Sequence, residues 1–174
     1  MDEPVEKVNK IDAAARQLRE AILLFFERRD PIAIHTLAAA SHQILIDLAS
    51  DSGLIGILKN NPLVRPEKEK EWIALVNKSQ NFFKHAPRDS KSVLEFRPSI
   101  TLFFILDAVQ IYEQVTGHKT HEQLVFWTWF SVKYPDFLMD GPQKEAVAKA
   151  LALGFDHNDF STLLALARGE IQGV

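Results

Sequence analysis

Apolar residues return at alternating steps of three and four along most of this chain, a spacing that restricts it to helices. The first run is Val8, Ile11, Ala15, Leu18, Ile22 and Phe25, the stripe of a long amphipathic helix starting near Asp2-Glu3-Pro4. Asp30-Pro31 ends that helix and begins another, because Asp accepts from free N–H groups while Pro suits a first helical turn and cannot extend the preceding one. So tight a joint sets the two helices antiparallel. Ile34, Leu37, Ser41, Ile44, Leu45 and Leu48 line the second helix, which gives way to Ser50-Asp51-Ser52-Gly53 and Asn60-Asn61-Pro62.

A third helix runs from Pro66 to Ala86, with Trp72, Leu75, Val76, Ser79, Phe82 and Phe83 at core spacing and Pro87 as its stop. Residues 87–98 read as an ordered loop, within which Val93 to Phe96 forms a short extended piece. Ser99 caps a helix to Thr116 that is apolar on nearly every side, which suits the centre of a bundle or half of a subunit interface. Thr120 and Gln123 make a capping box for the next helix, which buries Leu124, Trp127 and Phe130 and stops at Pro135. Two short helices follow, Pro142 to Leu153 closed by Gly154 and Asp159 to Arg168 closed by Gly169. No run alternates with period two. The expectation is an all-α, single-domain antiparallel bundle over residues 1–174, with about four long helices and two or three shorter C-terminal ones.

A chain of 174 residues with 47% hydrophobic side chains can bury a sizeable core without a cofactor or covalent staple. The absence of cysteine excludes disulfides, thiolate metal sites and thiol nucleophiles. The acidic N-terminus does not resemble an export signal, and the apolar stretch Ile100 to Leu106 is cut by Asp107, far short of a bilayer span. A cytoplasmic protein without membrane attachment is expected. A net charge of −3 supplies no global field for nucleic acid, so any RNA would be held by a few local cations.

Chemistry concentrates in Gln80-Asn81-Phe82-Phe83-Lys84-His85, which places Asn81 and His85 one helical turn apart near a helix C-terminus. Such a pair either grips a phosphate or ribose hydroxyl, or bonds a loop and caps the helix. The run resembles the arginine-asparagine-x-x-x-histidine motif of the HEPN superfamily, small helical bundles that include metal-independent ribonucleases and nucleotide-binding partners of nucleotidyltransferases. That resemblance covers residues 14–116, leaves 117–174 as a C-terminal extension, and implies a homodimer acting on RNA or a nucleotide through His85 and Asn81. The motif's arginine is Gln80 here, removing the group that would stabilise charge on the phosphate. Lys84 lies about 100° round the helix from His85, and Arg88 past Pro87 is the remaining nearby cation. The pairing of His35-Thr36-Leu37-Ala38 with Asn81 to Ala86 also resembles small bacterial proteins, a likeness that brings no function with it.

His35 and His42 share a helix face but stand about 10 Å apart along the axis, too far to bind one metal together. They read as buried, hydrogen-bonded histidines, or as contributors with His85 to a substrate cleft. Asp107, the lone charge in the most apolar helix, needs a histidine or arginine partner. His118, His121 and Asp156 to Asp159 sit in turns and caps, and no phosphate loop, nucleophile elbow or zincin motif occurs. No metal or other cofactor is called for. Three functions stay open: RNA binding or cleavage, a homodimeric or protein-binding module, and a small-molecule site between helices.

Overall fold

The computed structural model describes residues 4–51, 53–54, 56–59, 64–85, 90–137, 141–152 and 154–171. They form an all-α bundle of α1 (Lys10–Phe26), α2 (Pro31–Asp51), α3 (Glu69–Lys84), α4 (Ile100–Thr116), α5 (His121–Lys133), α6 (Pro142–Ala152) and α7 (Phe160–Arg168). Single 3-10 turns occur at Pro66–Lys68 and Pro135–Phe137, and there is no strand among the described residues. Residues 92–97 are neither helix nor strand, and Val93 is 91% exposed.

The helix α2 is the pillar, packed chiefly against α1 and α4. Its stretch Pro31–Ser50 has a mean hydropathy of 1.3, long and apolar enough by composition alone to cross a bilayer, yet half of that window is buried inside the bundle. Packing accounts for the apolar content. Small residues bring α1 and α2 together: Ala14 and Ala38 are fully buried, and the Ser41 hydroxyl donates to the Ala14 carbonyl at 2.8 Å. The helix α4 buries eight residues within the chain and leaves no large hydrophobic side chain exposed, so its apolar surround marks a central helix.

Helix ends depart from the sequence expectation in instructive ways. Helix α1 starts after Asn9, whose side chain accepts the Asp12 N–H at 2.9 Å, and not at Pro4; Val8 is left outside the helix and half exposed. Its C-terminus closes with Arg29 N–H to the Leu24 carbonyl and Arg28 N–H to the Phe25 carbonyl, both 3.0 Å. That pattern puts Arg28 in the left-handed region at φ 55°, a place where glycine is usual. Asp30 caps α2 as expected, accepting from Ile32 and Ala33 N–H. Ser99 precedes α4 without a side-chain cap; the first N–H groups of α4 bond Arg97, Pro98 and Ser99 carbonyls in a tight turn instead.

Helix α3 keeps most of its expected face, with Trp72, Val76, Phe82 and Phe83 at least half-buried, and departs from it at Leu75, whereas α5 turns a rotated face inward. Helix α3 ends at Lys84, short of the residue that precedes Pro87, and buries Val76 and Gln80 while Leu75 is 63% exposed. Helix α5 buries Val125, Phe126, Trp129 and Phe130 and leaves Leu124 half exposed. From Leu124 to Val132 every residue but Thr128 and Ser131 is apolar or aromatic, so spacing could not single out a face there. Its rings meet Phe25 and Phe26 of α1 and Phe160 of α7; the Phe25 and Trp129 centroids are 4.8 Å apart.

Candidate functional site

The motif residues do not share one environment. Gln80 is buried and its amide donates to the Ala39 carbonyl at 3.4 Å, which fastens α3 to α2. Asn81, Lys84 and His85 are exposed. His85 has left the helix, with φ −133° and ψ 118°, and its backbone N–H bonds the Asn81 carbonyl at 3.1 Å. Arg88 lies outside the described residues. His35 and His42, by contrast, are fully buried.

His42 and Asp107 are the partners each required. His42 Nε2–H donates to Asp107 Oδ2 at 2.8 Å, with both side chains sealed from solvent. The same carboxylate accepts Ile57 N–H on Oδ1 at 2.8 Å and Leu58 N–H on Oδ2 at 2.9 Å. Three donors on two oxygens make this carboxylate a clasp that holds the segment after α2 against α4. Close approach is possible because residue 56 is glycine: a Cβ there would sit 2.5 Å from the Ile46 Cδ1 and 3.1 Å from Asp107 Oδ2. Trp72 Nε1–H donates to the Leu58 carbonyl at 2.6 Å, and the buried Lys59 ammonium bonds the Gln43 amide oxygen. Burial lowers the Lys59 pKa, against the pull of nearby Asp47.

Among the described residues His35 has no carboxylate partner. Its Nδ1 lies 3.0 Å from the Thr101 hydroxyl, Nε2 meets no partner among those residues, and the rings of Phe83, Phe96 and Phe104 surround it at 5.0 to 5.8 Å. Burial pushes its pKa down to about 4, so the imidazole is neutral at pH 7. Phe104 also packs on His42, at 5.2 Å. Among the described residues no three histidine or acidic side chains gather as metal ligands.

The Thr101 side of this array opens on a cleft of about 580 Å³ where α1 ends and α2, α4 and α7 begin. Phe25, Ile34, Leu102 and Phe160 give it apolar walls, and Arg28, Arg29 and Lys133 supply its charge; among the described residues no carboxylate lines it. Arg28 Cζ sits 4.5 Å from the Phe160 ring centroid, and Lys133 Nζ lies 5.2 Å from that of Trp129. A second hollow of similar volume shares Arg28, Arg29 and Phe160 and adds Glu27, Asp159 and Arg168. Its carboxylates are already engaged. Glu27 is lowered in pKa first by its bond to Arg29 and is also paired with Arg168; Asp159, which caps α7, is lowered to about 2 by Ser161 and Thr162.

No family model, curated protein or solved structure matches this chain. Function is therefore a question for the chemistry of the site. Of the residues singled out by sequence, Gln80 binds α3 to α2, His42 joins Asp107, and His35 reaches the cleft only through Thr101. Arg28, Thr101 and Lys133 escaped the sequence reading. The one local signal was Glu27-Arg28-Arg29 pressed between a helix end and Asp30-Pro31, where some residue must turn left-handed.

Proposed function

We propose that this bundle is a binding protein for a small organic molecule, received in the cleft at the α1–α2 corner. The observation that carries the reading is the cleft itself: about 580 Å³, apolar walls from four helices, and polar groups confined to a few positions. Binding sites for small ligands have that size and that make-up. A soluble aryl-alkyl ligand such as phenylbutyrate is expected to raise the melting temperature by a few degrees at saturating concentration. Leu102→Trp, which puts an indole into the cleft, should abolish that rise. A rise of the same size in the Trp variant would place binding elsewhere and remove this reading.

RNA binding by the C-terminal face of α3 is a second reading, favoured by the exposure of Asn81, Lys84 and His85 in one short stretch. Cleavage is disfavoured, since the position of the motif's arginine is a buried glutamine turned toward Ala39. On this reading Asn81→Ala and His85→Ala each weaken binding of a labelled RNA oligonucleotide several-fold without added metal. Unchanged binding in both variants removes it.

A further inference from the structure

The charge in the cleft is unbalanced. Arg29 is partly neutralised, its Nε–H donating to Glu27 at 2.9 Å. Arg28 and Lys133 have no carboxylate partner among the described residues and rest on aromatic rings instead, in a chain whose net charge is −3. Unpaired cations facing an apolar hollow are stabilised by an anion there more than they would be in open water. The backbone adds to this. Arg28 occupies a left-handed position that glycine would fill with less strain, and the residue found there carries a guanidinium to the cleft.

Thr101 supplies a directed donor. If His35 gives its Nδ1–H to the Thr101 oxygen, the ring strands only a lone pair at Nε2, which costs less than a stranded N–H in an apolar setting. The hydroxyl hydrogen of Thr101 then meets no acceptor among the described residues, on a residue that lines the cleft. Backbone N–H groups do not compete for the role: Asp30 takes those of Ile32 and Ala33, and the first turn of α4 is bonded to Arg97, Pro98 and Ser99.

Resting on the cleft reading above, we infer that the ligand is an amphipathic organic anion: a carboxylate or phosphate head met by Arg28, Lys133 and the Thr101 hydroxyl, on an apolar body packed against Phe25, Ile34 and Leu102. His35 acts as a positioning residue, fixing the direction in which Thr101 donates. Both head groups use the same chemistry, an oxyanion accepting charge-assisted hydrogen bonds.

Three compounds with one body separate the possibilities: phenylbutyrate, phenylbutyl phosphate and phenylbutanol, titrated calorimetrically into the full chain. At least one anion should bind about tenfold or more tightly than the alcohol, an advantage that shrinks as salt rises; the tighter anion names the head group. Arg28→Gly should erase the advantage while the melting temperature holds or rises, because glycine relieves the left-handed backbone. Thr101→Ser should keep the advantage and Thr101→Val should lose several-fold of it. Equal affinity for anions and alcohol overturns the inference and leaves the cleft reading standing, as does an Arg28→Gly variant with the full anion preference. Failure of all three compounds to bind overturns both.

Discussion

Asp107→Ala is expected to lower the unfolding free energy by about 3–5 kcal/mol, enough to bring a bundle of this size close to the limit of stability. The magnitude follows from what the carboxylate holds. Removing it strands His42 Nε2–H in a fully buried position and leaves the Ile57 and Leu58 N–H groups without the acceptors now 2.8 and 2.9 Å away. Each donor left unpaired in the interior costs on the order of 1–3 kcal/mol, and the two backbone groups recover part of theirs where water can enter. His42→Phe should cost less, since Asp107 keeps two of its three donors. Urea titrations of the two single variants and the double variant measure the coupling; hydrogen exchange should show Ile57 and Leu58 losing protection while α1 and α2 keep theirs. A loss below about 1 kcal/mol in Asp107→Ala would mean that the clasp does not hold the segment.

That Asp107 needed a partner was legible in the sequence, because a lone charge in an apolar helix leaves no inexpensive alternative. Histidine as the partner followed from which helix lies alongside, information that spacing does not contain. Helices α1 and α2 were legible for a similar reason: a stripe such as Leu18 and Ile22 in α1 can bury only one way. In α5, where Leu124 to Val132 are apolar but for Thr128 and Ser131, there was no single stripe to read, and the buried face came out rotated. Gln80 misled in the opposite sense, a polar residue at a motif position that turns inward because its amide can reach the Ala39 carbonyl. The cleft was not legible at all. Arg28, Thr101, Lys133 and Phe160 come from separate elements, and each has an ordinary local setting in the sequence.

The histidine beside that cleft leads to the second large effect, a loss of stability as the solution is acidified through the range where His35 resists protonation. In the unfolded chain the imidazole titrates at its ordinary value of 6.5; in the folded protein burial among Phe83, Phe96 and Phe104 holds it to about 4. The folded-state pKa is depressed, so between these values the unfolded chain binds a proton that the native state refuses. Stability is therefore full above pH 6.5 and falls as pH drops from 6.5 toward 4, by up to about 1.4 kcal/mol per pH unit and about 3 kcal/mol across the window. Acidic side chains titrate at the lower end of that range, which makes the comparison with His35→Phe the informative one. The variant starts lower at pH 7, because the Thr101 hydroxyl loses its partner, but its urea midpoint should change less between pH 7 and 5 than that of the wild type. Parallel pH profiles for the two proteins would show that His35 is no colder to a proton inside the bundle than outside it. A buried neutral imidazole would then no longer be the group that sets the direction of the Thr101 hydroxyl.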